Sequence, residues 1–326
     1  MRQPSLLSTL LIASLCALGL AQTASHAQTF PEKPLRIIVP WAPGGSTDTI
    51  GRTLAARLSQ TIGQQVVVEN KPGAGGIIGA ELGAKATPDG YTLTIVELPH
   101  ATAQALMTKV PYDLNTDFAP VAYIGASPLI LFANVNVKAN NLKEVVALSR
   151  EKAGLAFATS GTGSISHLVG ELLQKQANAQ FVFVPYKGSS PALLDLGAGE
   201  VQAFFATLAS GVGALKTGRV KAIGLTSAKR VSALPDVPTV GESGFNDLIV
   251  EQWWGIVAPA KTPAPILEKL RNEVAAALAH SSMKERMVAL AIEPGTMSPE
   301  QFRTFMSDEA RRWGKVAKDA NIRLEQ

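Results

Sequence analysis

The chain has 326 residues, 46% hydrophobic and 17% charged, and its 30 Lys and Arg against 26 Asp and Glu leave a net charge of +4. That length suits one large domain or two ordinary ones resting on hydrophobic burial, and a slight basic excess spread along the chain argues against a nucleic-acid surface. With Cys16 as its single cysteine, the chain is not a disulfide-stapled module.

Residues 1–27 read as an export signal. Arg2 is the only charge there, 6–20 is a nearly continuous apolar run, and Ser25-His26-Ala27 offers small residues for cleavage after Ala27. Ala13-Ser14-Leu15 is not a lipoprotein box before Cys16, and no later stretch reaches the roughly 18 uncharged apolar residues of a membrane span. The mature chain would have 326 − 27 = 299 residues, a charge of 29 − 26 = +3 and no cysteine, which fits a bacterial periplasm.

Leu35, Ile37, Ile38 and Val39 predict a buried strand, and Ile50, Leu54 and Leu58, recurring every four residues, predict an amphipathic helix. Between them Ala42-Pro43-Gly44-Gly45-Ser46-Thr47-Asp48 turns sharply and offers hydroxyl and carboxylate caps. On its own this is an ordinary capped turn that is also a plausible seat for an anion, because the first N–H groups of a helix lack internal partners at the positive end of its dipole.

A strand at 66–68, a turn at 70–76 and a small-residue helix at 77–85 follow. Gly73, Gly75 and Gly79 imitate a dinucleotide fingerprint, but the third is one position late and Pro72 precedes the first, so a tight turn is preferred and no cofactor is expected. A strand at 92–96 runs into a loop that brings Glu97, His100 and Ala101 to the same edge as the opening turn. A single His there offers no metal set.

Two apolar runs at 121–125 and 129–133 and a helix at 142–151 lead into a second α/β series. Its strands are expected at 155–158, 181–185 and 201–206, with helices at 164–176 and 191–196. Ser160, Gly161, Thr162, Gly163 and Ser164 repeat the opening device, as do Lys187, Gly188, Ser189 and Ser190. Three such helix starts point to an anion far more strongly than one. Lys187 adds a cation or is simply solvated.

A strand at 223–226, a turn-rich connection at 234–245 and a strand at 249–258 containing Trp253-Trp254 come next. The tail is helical at 265–280, 282–290 and 298–320, the last from the capping box Ser298-Pro299-Glu300-Gln301. These helices have no strands of their own and are expected to cover the first sheet. The first domain is then discontinuous, with the apolar crossings near Pro128 and Trp254 as the hinge.

Six motifs occur in register: 34–40 with 43–48, 70–76, 88–91, 185–188, 234–239 with 242–244, and 254–259. In them the chain resembles the Bug-type solute-binding proteins, periplasmic receptors of tripartite tricarboxylate transporters. The resemblance implies a two-lobed α/β flytrap, each lobe a mainly parallel sheet flanked by helices: lobe 1 at 28–127 plus 250–326, lobe 2 at 128–249. It also implies a carboxylate held by backbone N–H groups and waters. Carried onto this chain, that points to Pro43 through Asp48, to the loop at Glu97, to Ser160 through Ser164 with His167, and to Gly188 through Ser190.

Two stretches depart from the family pattern. Val96-Glu97-Leu98-Pro99-His100 stands where relatives carry small hydroxyl and amide residues, and the stretch 204–210 leaves Thr207 and Ser210 as its polar candidates. Facing the pocket, Glu97 would repel a dianion and favour a ligand with a neutral or cationic distal group. Facing solvent, it would set no such limit.

The expected function is capture of a small organic acid in the periplasm by a monomer, followed by delivery to integral-membrane transporter subunits. No metal and no nucleic acid is expected. Presentation of the closed form to a membrane sensor kinase is the alternative. A hydrolase is disfavoured: no Gly-x-Ser-x-Gly elbow follows a strand, and Ser164 and His167, one helical turn apart, suit a shared ligand better than a nucleophile and base.

Overall fold

The computed structural model describes residues 30–107, 109–151, 154–319 and 321–322. The expected export signal at 1–27 lies outside the described residues. From Lys33 on, the chain forms one compact unit.

The first sheet is built from β1 (Leu35–Val39), β2 (Val66–Asn70), β3 (Thr92–Glu97), β4 (Phe118–Pro128), β10 (Glu251–Pro259) and β11 (Glu293–Pro294). Its order is β11-β4-β10-β3-β1-β2, parallel at β1–β2 and β1–β3 and antiparallel where β10 meets β3 and β4. The second contains β5 (Ile130–Asn134), β6 (Leu155–Thr159), β7 (Phe181–Pro185), β8 (Ala203–Ala206) and β9 (Val220–Leu225), in the order β7-β6-β8-β5-β9. It is parallel at β6–β7 and β6–β8 and antiparallel around β5. Helical crossovers make the parallel part of each sheet. The antiparallel pairings come from β5, β10 and the short edge strand β11, so both sheets are mixed.

Helices follow the strands: α1 (Ser46–Thr61), α2 (Ile77–Ala84), α3 (Leu98–Leu106), α4 (Leu142–Glu151), α5 (Ile165–Ala177), α6 (Ser189–Ala198) and α7 (Leu208–Lys216). On α1 the buried stripe is Ile50, Leu54 and Leu58, each nearly inaccessible, and burying one such side chain stabilises by roughly 1.5–3 kcal/mol. The late helices α8 (Ala264–Ala279), α9 (Ser281–Ala289) and α10 (Pro299–Asp319) return to the first sheet. There α10 packs on α3 and β4, α8 packs on α1 and β4, and Phe302 and Phe305 of α10 meet Trp253 edge-on at 5.9 and 5.4 Å.

Two helices differ from the sequence expectation. The loop expected after β3 is helix α3, because Pro99 sits in its first turn, where a missing N–H costs nothing. A further helix, α7, follows β8 despite two glycines that lower its intrinsic propensity. Tertiary packing decides it: a Cβ on Gly211 would lie 2.2 Å from Phe132, so the glycine lets α7 settle directly on β5.

The two crossings between sheets are joined at Thr226. Its hydroxyl accepts from Leu129 N–H at 2.8 Å and donates to the Val250 carbonyl at 2.5 Å, while its own N–H donates to the Leu129 carbonyl at 2.9 Å. Thr226 is fully buried, so the hinge is a stitched pair of strands rather than a loose linker.

Candidate functional site

Parallel strands deliver the helices that follow them to one edge, and here five helix N-termini meet between the lobes: α1, α3, α5, α6 and α7. The cavity among them spans about 440 Å³ including its open mouth. Trp41, Gly45, Ser46, Thr47, Glu97 and Gln252 line it from the first lobe. Leu129 of the hinge and Ser160, Ser164, Ile165, Ser189, Phe205, Ala206 and Thr207 line it from the second. No Lys, Arg or His is among these residues, and Glu97 is the sole ionisable side chain. Donors for an anion in the cavity therefore come from backbone N–H groups at the helix starts and from hydroxyls.

Glu97 faces this cavity and is 4% exposed. Its Oε1 accepts from Trp41 Nε1–H and from the Thr47 hydroxyl at 2.8 Å, and its Oε2 accepts from Gln252 Nε2–H. Trp254 Nε1–H donates to Thr47 Oγ1 at 3.2 Å, which extends the network under the sheet. Burial pushes the Glu97 carboxyl up to about 7, the three donors pulling the other way. The Glu97 N–H donates to His100 Nδ1 at 3.0 Å. His100, pushed by burial down to about 4, stays neutral and stacks edge-on to Trp41 at 6.3 Å. It braces the start of α3 and does not line the cavity, and Ala101 is packed into the core beside it.

Asp48 also turns away from the cavity. It accepts from Gly44 N–H at 2.9 Å, Arg52 Nε–H at 2.9 Å and Asn70 Nδ2–H at 2.8 Å. Burial alone would raise its pKa, but these donors and the Arg52 charge outweigh burial and hold it below the usual range. Asp48 thereby fixes the turn that aims Gly45, Ser46 and Thr47.

Several expected ligand contacts are contacts between lobes instead. Ser210 Oγ accepts from Ser46 N–H at 2.9 Å, Ser190 Oγ donates to the Pro43 carbonyl at 2.9 Å, and Ala42 N–H donates to the Lys187 carbonyl at 3.3 Å. Gly44, at φ +86°, leaves room for Ser190, since a Cβ there would come within 2.9 Å of its hydroxyl. Gly188 approaches Ala42 in the same way. The structure is thus a closed form. Gly161, Thr162 and Lys187 face a neighbouring opening alongside Gly73, Ala74 and Gly75.

At the start of α5, Ser164 Oγ accepts from the His167 N–H at 3.4 Å, and His167 Nδ1 accepts from Gly163 N–H at 3.3 Å. The imidazole therefore serves the helix turn and does not activate Ser164, which gives a hydrolase no base. Trp41, Leu129, Ile165, Phe205, Ala206 and Gln252 were not singled out from the sequence. Gln252 alone left a signal there, as an amide near the start of the apolar crossing strand β10. The apolar residues become cavity walls only through the closure of two distant loops.

Among the described residues no group of three or more His, Cys, Asp or Glu could hold a metal, and no helix is long and apolar enough to cross a membrane. Residues 50–322 match the family described as Tripartite tricarboxylate transporter family receptor. Protein BugT of Bordetella pertussis is 36% identical over 310 residues, 94% of this chain and 95% of that protein. The periplasmic binding protein BugD has a similar structure, with a TM-score of 0.87 and 35% identity, covering 91% of this chain and 100% of BugD. R. palustris Rpa4515, solved with adipate, gives a TM-score of 0.87 at 33% identity, again covering 91% of this chain and 100% of that one. With this fold, this cavity and these relatives, the chain belongs to the tripartite tricarboxylate transporter receptor family, whose members are solute-binding proteins rather than enzymes.

Proposed function

We propose that this protein is an exported receptor for a small carboxylate, which it encloses between its lobes and hands in closed form to the membrane subunits of a transporter. In this reading lobe 1 comprises 28–127 and 250–326, lobe 2 comprises 128–249, and residues 1–27 direct export to the periplasm. The observation that carries it is the convergence of five helix N-termini on a cavity that no basic side chain lines. Backbone donors of that kind select an anion without a fixed counter-ion. The adipate bound to Rpa4515 supports a carboxylate as the anion.

Closure requires a ligand that touches both lobes, because only a differential affinity shifts an open–closed population. Thermal unfolding and calorimetry with a panel of small acids test the reading. A ligand at 100 times its Kd should add about 2.7 kcal/mol of stability and compact the protein in X-ray scattering. Binding of no carboxylate, or binding with unchanged compactness, overturns it. Isolation of a ligand-dependent complex with the transporter's membrane subunits checks delivery. A ligand-dependent complex with a sensor kinase in its place would reassign the partner.

A further inference from the structure

The cavity is not electrostatically uniform. Its second-lobe wall is neutral, made of hydroxyls and apolar side chains, while its first-lobe wall holds Glu97 beside Gln252. Gln252 is only 2% exposed, and both hydrogens of its amide are in use, one donated to Glu97 Oε2 and one to the Trp253 carbonyl at 3.2 Å. Turning the amide over would set its oxygen against two acceptors, so the orientation is dictated by its neighbours. The consequence is a buried acceptor, Gln252 Oε1, with no hydrogen-bond partner. Leaving a buried acceptor of this sort unpaired is costly, and a donor brought to it binds favourably.

Glu97 adds a second acceptor to the same wall. A carboxylate oxygen accepts about two hydrogen bonds. Oε1 has both, from Trp41 and Thr47, whereas Oε2 has only the one from Gln252. The wall thus offers two oxygens in need of donors and, with no Lys, Arg or His lining the cavity, no cation. A second ligand carboxylate beside Glu97 would either face a like charge or have to drive a proton onto the Glu97 carboxyl.

We propose that the ligand carries, opposite its carboxylate, an ammonium or primary amide group that donates to Gln252 Oε1 and Glu97 Oε2, and that the site disfavours a dicarboxylate of the same length. This rests on the receptor reading and specifies the chemistry of its ligand. The carboxylate takes the helix ends. The N–H group takes the Glu97–Gln252 wall and satisfies the acceptor that no protein group pairs.

Calorimetry at pH 8 on the full chain tests the proposal with probes of matched length: 4-aminobutyrate, succinamate, succinate and butyrate, and the homologous series one and two carbons longer. At the length that fits best, the ammonium or amide acid should bind at least about tenfold more tightly than both the dicarboxylate and the plain acid. Glu97→Gln should close the gap between the ammonium acid and the dicarboxylate by about tenfold, and Gln252→Leu should weaken the amide acid selectively. A dicarboxylate or plain acid that binds the wild-type protein as tightly as its N–H counterpart overturns the proposal and leaves the receptor reading standing. Failure of every acid in the series to bind overturns both. The wild-type ranking decides the matter even if a variant does not fold.

Discussion

The two walls of the cavity are built on opposite physical plans. On the first-lobe side, Trp254, Thr47, Trp41, Gln252 and Glu97 form one buried network in which a carboxylate is held by three donors. On the second-lobe side the polar groups are neutral hydroxyls that mostly bond each other, Ser160 to Ser189 at 3.1 Å, Ser164 to Ser166 at 2.9 Å and Thr207 to Ser210 at 3.4 Å. A hydroxyl can rotate to donate or accept, and so can serve an anion, a water or the opposite lobe. A buried acid locked by three donors cannot adapt in this way. The contrast assigns ligand choice to the first lobe and closure to the second.

The largest effect that would break this contrast concerns Glu97 itself. Its carboxyl is raised from 4.5 to about 7, so the folded state keeps a proton that the unfolded chain releases between those values. Stability from this group is therefore fully present below pH 4.5 and is lost as pH rises through 7. His100 has the opposite sign. It is held neutral with a pKa lowered to about 4, and its contribution is present above 6.5 and lost as pH falls towards 4. Glu97→Gln removes the first dependence and leaves the second. Relative to wild type, the variant should thus gain about 3 kcal/mol more at pH 8 than at pH 4.5 in urea unfolding. A constant difference across that range would mean that Glu97 titrates as an ordinary solvated carboxyl and that burial does not shape the first-lobe wall.

Blocking closure comes next. Gly75 has φ +62°, and a Cβ there would lie 2.3 Å from the Thr162 carbonyl of the opposite lobe. Gly75→Val should weaken ligand binding by about thirtyfold, roughly 2 kcal/mol, and leave an expanded particle in X-ray scattering with or without ligand. Unchanged affinity would separate binding from closure.

A smaller effect is expected from single contacts between the lobes. Ser210→Ala removes the acceptor of Ser46 N–H and should cost ~1 kcal/mol of closure, seen as about fivefold faster ligand release in stopped-flow measurements with little change in Tm. The smallest belongs to the second-lobe wall. Ser160→Ala leaves Ser189 free to rotate to another partner and should alter affinity by less than about threefold by calorimetry. A larger loss there than at Ser210 would reverse the division of labour.

Much of the lobe architecture was legible in local patterns. Alternating apolar runs and helix starts rich in glycine and hydroxyls mark β1 to α1 and β6 to α6, although α1 and α6 start from Gly45 and Gly188 with no side-chain cap, and helix α4 runs over Leu142–Glu151 as its apolar spacing predicts. Ser164 at the start of α5 was recognisable as a cap because a hydroxyl before an apolar periodic run has few other uses. Helix α7 was not legible. Its glycines argue against a helix locally, and the reason for Gly211 is Phe132, some 80 residues away in sequence. His100 and Asp48 were credible ligand contacts by position, yet hydrogen bonds to their own turns claim both side chains.

By itself, the sequence determined the family, through its motifs in register, and most of the strands, helices and helix starts that face the cavity, since those elements follow from periodicity and short motifs within a dozen residues. The direction of Glu97 was open at that level. Only the tertiary structure decided it, because Trp41 and Thr47 of the opening turn and Gln252 of β10 stand on two segments, about 200 residues apart, that meet at Glu97 when β10 crosses back beside β3. A buried carboxylate is tolerated where enough donors converge on it, and convergence is a property of the fold rather than of any stretch of chain.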